Sequence, residues 1–590
     1  MSALAQPFFF GPAARPLFGW LHRPDPERSA DVGLLICNPL GYDAISGHRT
    51  LRHLAQSAAG QGIAALRFDY DGTGDSAGQD TEPARVAAWL DSIGYAAAAL
   101  REQAGVRHIA VFGVGLGGTL ALLAAQPLAA VAAILIDPVV TGRRYLRELR
   151  ALAATSAVAT ATESDVQTAA GFITTVETRQ SIAAMHLAGD SLQGAPPRVL
   201  LLERTGLKPD DALAEHLRQL GSEVTRQSFS GYTDMLRDAH ETVVPAGMIQ
   251  DALRWLRQSV TGAAAAPAAG LADHCEMSWS AADQSGRLRE QAVRFGTRHL
   301  FGIVTESCAG GSGAAAAPVL LLLNSGSVHH VGPNRLYVRI ARQLALRGFK
   351  VLRVDLPGLG DTPAPAGGQE NLPYPEWALA AAGQIVEYAR ERLGAGEIHS
   401  AGICSGAYHS LKAAVAGLPL RSIVVINPLT FFWKAGMSLS VPAYMDTASV
   451  LRYRRGVLSA SSLRRLLTGQ VNLIELLATL SRYGLRRARH ATRELGRGLG
   501  MRLRDDLVAE LREIRRHGTQ IHFVFAGADP GHAMLQEQGG AEVRRLQRAG
   551  TLTIDLIDQA DHTFTPPAAQ QALLELLARI LAPPLPPAAS

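Results

Sequence analysis

Short runs of Val, Ile and Leu alternate with amphipathic stretches along the chain. In the C-terminal half the runs are VLLLL (319–323), KVLRVDL (350–356), IHSAGI (398–403), SIVVINP (422–428), IHFVFAG (521–527) and LTIDLID (552–558). RLYVRIARQLALRG, between the first two, has apolar residues at helical spacing, and a second helical stretch spans about 376–394. Continuous apolar runs separated by helices predict a parallel sheet covered on both faces, because each strand then has to bury both of its sides. The expected class is α/β, a mostly parallel sheet flanked by helices.

The pattern occurs twice. Residues 49–76, RTLRHLAQSAAGQGIAALRFDYDGTGDS, align without a gap on 335–362, RLYVRIARQLALRGFKVLRVDLPGLGDT, with ten of 28 positions identical at an offset of 286. Asn38 pairs with Asn324 at the same offset, and GVGLGG (113–118) matches GICSGA (402–407) at an offset of 289. Two copies of one module are therefore expected: residues 1–260, a linker at 261–285 rich in Ala and Pro, and residues 286–583. A disordered tail is expected at 584–590. AGGSGAAAAP at 309–318 reads as a loop inside the second copy.

Candidate chemistry concentrates in the second copy. Gly402-Ile-Cys404-Ser-Gly406 lies between an apolar run and a helix-compatible stretch. A strand-to-helix turn this tight leaves no room for flanking side chains, hence Gly402 and Gly406. It holds its central residue out at a helix N-terminus, where N–H groups favour a thiolate and a developing oxyanion. Asp529 follows IHFVFAG and His562 follows LTIDLID, so both belong on loops at the C-terminal edge of a parallel sheet. The expected roles are Cys404 as nucleophile, His562 as base and Asp529 as the group that orients the imidazole. Asp561 is a weaker competitor for the acid.

The ordered Cys404, Asp529 and His562, the elbow, and Asp355–Thr362 (DLPGLGDT) resemble the α/β-hydrolase superfamily over nearly all of 286–583. The resemblance implies oxyanion donors by position: the N–H of Ser405 and that of Ser327 or Val328. It also implies a helical cap, here about 430–515, which opens with Phe431, Phe432, Trp433 and Met437 as pocket candidates. That superfamily normally has Ser where this chain has Cys404.

The first copy is expected to be degenerate. Gly115 stands at the nucleophile position, Tyr232 aligns with His562, and no Asp follows VLLLE (199–203) as Asp529 follows its strand. Gly-x-Gly-x-x-Gly at 113–118 also fits a dinucleotide fingerprint, but the register shared with 402–407 explains it better.

Net charge is +5, too small at this length to imply nucleic acid, yet 13 arginines and two acids fall within residues 452–504. That basic stretch fits an acyl-carrier protein, a coenzyme A ester, an anionic glycan or a membrane surface. The four cysteines (Cys37, Cys275, Cys308, Cys404) form neither a disulfide framework nor a zinc-ligand spacing. No cofactor or metal is expected. Without a signal-like N-terminus or a membrane-spanning run, a cytoplasmic location is expected. The functional expectation is an esterase, thioesterase or acyltransferase working through an acyl-cysteine. The alternative is a non-catalytic double-hydrolase scaffold.

Overall fold

The computed structural model describes residues 5–25, 27, 29–154, 166–169, 171–206, 210–259, 271–281, 284–309, 317–434, 436–437, 439, 504–527 and 529–581. The chain divides into two compact units, residues 1–397 with 563–590, and residues 398–562.

The first unit contains an eight-stranded sheet. Its strands, with a separate hairpin, are β1 (Gln6–Phe10), β2 (Leu17–His22), β3 (Val32–Cys37), β4 (Ala64–Phe68), β5 (His108–Val114), β6 (Ala132–Ile136), the hairpin β7 (Val166–Ala169) and β8 (Phe172–Thr175), β9 (Arg198–Arg204) and β10 (Glu223–Phe229). The order is β1-β2-β4-β3-β5-β6-β9-β10, antiparallel only where β2 meets β1 and β4. Alternate residues of its central strands enter two separate cores. Leu35, Leu66, Val111 and Leu135 pack with Trp89, Ile93 and Leu120 on one face. Leu34, Ala65, Phe112 and Ile134 pack with Leu54, Met248 and Leu253 on the other. Burial on both faces is why these strands read as continuous apolar runs.

The first unit also holds β11 (His274–Ala281), β12 (Gln284–Phe295), β13 (Leu300–Ser307), β14 (Val319–Leu323) and β15 (Lys350–Asp355), ordered β11-β12-β13-β15-β14. With one extra edge strand this repeats β1-β2-β4-β3. In the second unit β16 (Ile398–Ile403), β17 (Ser422–Ile426), β18 (Gln520–Ala526) and β19 (Leu552–Ile557) are parallel, in that order. They repeat β5-β6-β9-β10. The fold class is thus two tandem α/β-hydrolase-like domains with mostly parallel sheets flanked by helices.

One expectation needs correcting. Part of the expected linker, residues 274–281, is strand β11, which buries Cys275, Met277 and Trp279 at alternate positions. The period of two was present in HCEMSWSA. Residues 260–270, the glycine-alanine loop 310–316, most of the cap (440–503) and the tail lie outside the described residues.

The identities shared by the two copies have a structural cause. Asp69 Oδ2 accepts the N–H of Asp75 at 3.0 Å, and Asp355 Oδ2 accepts that of Asp361 at 2.9 Å. A Cβ at Gly74 or Gly360, both at positive φ, would collide with the bracing carboxylate. The Asp and Gly of each repeated loop are therefore one device that closes a turn.

These turns also meet each other. Arg67 donates to Asp361 at 2.7 Å, and Arg353 pairs with Asp75. Arg67 aligns with Arg353 and Asp75 with Asp361, so the same ion pair forms twice in opposite senses. Phe18 N donates to Ser76 Oγ (3.0 Å) and Phe301 N to Thr362 Oγ1 (2.9 Å), again equivalent contacts, and the two phenyl rings stack at 6.4 Å. Reciprocity of this kind is how an isologous homodimer packs, here within one chain. Glu290, Arg342 and Arg353 continue the network, all fully buried.

His330 bridges the copies, with Nε2 2.7 Å from Asp75 and Nδ1 2.9 Å from Asp355. Burial opposes its charge, but the two carboxylates outweigh burial and raise its pKa to about 10. A raised histidine contributes stability in full below its unfolded value of about 6.5, and that contribution is lost as pH rises through the folded value. The unfolding midpoint should therefore fall between pH 6.5 and 10. His330→Gln should flatten that slope, as urea titrations across the range would show.

Candidate functional site

β16 ends at Ile403 and the next helix begins at Ser405, which leaves Cys404 alone in the turn. Its backbone sits at φ 59, ψ −113, strained for a residue with a side chain, and its N–H is held by Ile426 O at 3.0 Å. A Cβ on Gly402 would run into the backbone of Gly406, so glycine is sterically required at 402. Gly115 repeats the geometry in the first copy, with φ 54, ψ −125 and its N–H on Ile136 O at 3.0 Å.

Asp529 and His562 come together at the ends of β18 and β19. His562 Nδ1 lies 2.7 Å from Asp529 Oδ2, and the Asp529 carboxylate is almost fully buried. Asp529 Oδ1 accepts the N–H of Gly531 at 2.8 Å, which fixes the carboxylate plane. Burial works against a charged His562. The Asp529 hydrogen bond and the Cys404 sulfur outweigh it, and the pKa rises to about 10. The other imidazole nitrogen, Nε2, is buried and makes no hydrogen bond of ordinary geometry within the protein. The sulfur therefore influences the ring without a fully formed bond, a looseness common in unliganded sites.

Sequence reasoning missed Asn427. Fully buried just past β17 at φ 44, it donates Nδ2 to His562 O at 2.8 Å and accepts Ala526 N at 2.8 Å. It thereby ties the histidine loop to the strand that carries Asp529. Its signal was an Asn ending an apolar run, a residue that tolerates positive φ. In the first copy Asp137 takes that place at φ 42 and pairs with Arg204 Nε at 2.6 Å.

The remaining candidates divide. Ser405 opens the helix Ser405–Val415, where N–H groups point towards the elbow. Ser327 and Val328 belong to the first unit. Val328 is a correction, since its N–H is already donated to Ser325 O at 3.1 Å in a turn. Ser327 donates its hydroxyl to Asn371 O at 3.0 Å. Phe431 is likewise a correction: it is 1% exposed and packs edge-on against Phe523, so it is core rather than pocket wall. Phe432 lies under Lys412 Nζ at 4.3 Å, Trp433 is half-buried, and the Met437 sulfur accepts the N–H of Lys434 at 3.3 Å.

In the first copy the tip is bare. A Cβ at Gly115 would meet only Tyr232 Oη, at 4.0 Å, and Arg204 covers the Tyr232 ring at 4.2 Å. Among the described residues no nucleophile and base are assembled there.

Family models match both halves. Residues 45–202 fit the serine aminopeptidase, S33, model and residues 318–493 the alpha/beta hydrolase fold model. Both halves belong to the α/β-hydrolase superfamily. Among solved structures, Est1E from Butyrivibrio proteoclasticus, with ferulic acid bound, is 16% identical over 42% of this chain and 98% of its own, at a TM-score of 0.33. XC6422 from Xanthomonas campestris, described as an a/b serine hydrolase without lid, is 18% identical over 43% of this chain and 96% of its own, at a TM-score of 0.29. No match was found among curated proteins. In this tandem α/β-hydrolase the fold points to a hydrolase. Among the described residues no helix is long and apolar enough to cross a membrane, and no cluster of His, Cys, Asp and Glu is arranged to hold a metal ion.

Proposed function

We propose that this α/β-hydrolase acts on an acyl ester or thioester through an acyl-cysteine, with Cys404 as nucleophile, His562 as base and Asp529 as its orienting acid. The supporting observation is Cys404 in a strained elbow beside a histidine that Asp529 holds at 2.7 Å. With its pKa raised to about 10, His562 already holds the proton beside a Cys404 thiolate, and the thiolate sulfur attacks the carbonyl carbon. The oxyanion is met by the Ser405 N–H at the start of the helix Ser405–Val415. Collapse breaks the acyl–oxygen or acyl–sulfur bond, and His562 protonates the leaving alcohol or thiol. Water or another acceptor then attacks the Cys404 thioester and frees the thiol.

Modules 1–260 and 286–583, joined by a linker, are part of this reading, with the first non-catalytic. Intact-mass spectrometry after brief incubation with acyl thioesters and activated esters tests the enzyme reading. The expected result is a transient adduct of acyl mass on Cys404. Absence of both adduct and turnover across that panel would instead favour a binding scaffold.

The basic stretch makes a further expectation for an anionic donor, such as an acyl-carrier protein or a coenzyme A ester. Screening shortens from about 10 Å at 0.1 M salt to about 3 Å at 1 M. KM for such a donor should therefore rise several-fold with salt while kcat barely moves. Arg486→Glu, Arg487→Glu and Arg489→Glu together should imitate high salt. A small neutral ester should respond to neither, and equal indifference of the anionic donor would remove the electrostatic role.

A further inference from the structure

The first copy has lost its nucleophile but keeps a cavity of about 280 Å³. It reaches from Leu116, beside the bare tip of Gly115, past the loop Asn38–Gly41, and under the helix Gly142–Ala154 and the hairpin β7–β8. Leu40, Trp89, Leu116 and Phe172 give it apolar walls. Polar groups on its lining include the carboxylates of Asp43 and Glu148 and the phenol of Tyr145.

The two arginines on the lining are engaged elsewhere, Arg67 by Asp361 at 2.7 Å and Arg335 by the backbone carbonyls of Gly72, Gly74, Ser76 and Gly78. Arg204, whose charge reaches Asp43, is committed to Asp137. Glu148 is engaged by Arg144 at 3.1 Å on an exposed helix face. Asp43 is only partly exposed and has no hydrogen-bond or ion-pair partner among the described residues. A half-buried carboxylate without a partner, in an aromatic-lined slot, is what a desolvated organic cation complements, through charge and through the ring faces.

We propose that the first domain is a non-covalent binding site for an organic ammonium ion with an apolar body, its amine on Asp43. The domain would then be a ligand-binding module rather than a mere remnant, and the proposal does not depend on the chemistry of Cys404. Burial raises the Asp43 pKa to about 6 against the pull of Arg204, so the carboxylate is charged at pH 7.5 and largely neutral at pH 5.

The test is calorimetric titration of the full chain carrying Cys404→Ala. The probes are 4-phenylbutylamine, 4-phenylbutanol and 4-phenylbutanoate, which share one apolar body. At pH 7.5 the amine should bind at least about tenfold tighter than the alcohol, and the acid weakest. Asp43→Asn should erase the amine's advantage and leave alcohol binding unchanged. An unchanged unfolding midpoint would confirm that the variant is folded, and Glu148→Gln, on a more exposed side chain, should produce a smaller loss. At pH 5 the amine's advantage should shrink in the unmodified site. Equal or stronger binding of the alcohol or the acid, an amine advantage that survives Asp43→Asn, or no binding by any of the three would overturn the proposal.

Discussion

Cys404→Ala should abolish the acyl adduct and lower kcat/KM by about 10⁴-fold or more, the usual scale for removing a nucleophile from a triad. The fold should survive, because the elbow already accommodates Gly115 in the equivalent turn at nearly the same φ and ψ. Ester hydrolysis traces by spectrophotometry and a thermal melt of the same sample would check both halves of the statement. Cys404→Ser should retain a fraction of ester turnover. Gly115→Cys should create none: the tip has room for the side chain, but Tyr232 occupies the direction from which a base would come. Turnover that survived Cys404→Ala undiminished would assign the chemistry to another residue.

The second large effect concerns stability. Arg353→Met should destabilise the chain by about 3–5 kcal/mol, because it strips a buried countercharge from Asp75 and Glu290 and leaves both carboxylates underpaired. Arg67→Met should act the same way through Asp361, and to a lesser degree, because His48 Nε2 stands 3.2 Å from that carboxylate as a second partner. Asp75→Asn combined with Arg353→Met should cost less than the sum of the single changes, since removing both members of a pair leaves fewer orphaned charges. Urea unfolding midpoints of the four variants would decide it. Strict additivity would mean that the reciprocal pairs are packing neighbours and not coupled charges.

Much of this architecture was legible in the chain before folding, and the reasons are local. An apolar run, a following helix period and a Gly-x-Cys-x-Gly turn each depend on residues adjacent in sequence, so their signals survive in one dimension. The constant offset of 286 compared the chain with itself and so exposed the duplication. Strand ends could be placed, and with them Cys404, Asp529 and His562 on their loops. What folding alone decided depends on residues far apart in sequence. Asn427 reaches His562 across 135 positions, and Arg353 reaches Asp75 across 278. Whether Phe431 lined a pocket or filled a core depended on Phe523, and whether the Val328 N–H was free depended on how its turn closed. The sequence alone showed Gly115 where the second copy has Cys404. It could not show that this copy has a cavity with a carboxylate unpartnered among the described residues, because a cavity is defined by the packing of many elements at once, and no single stretch of the chain encodes it.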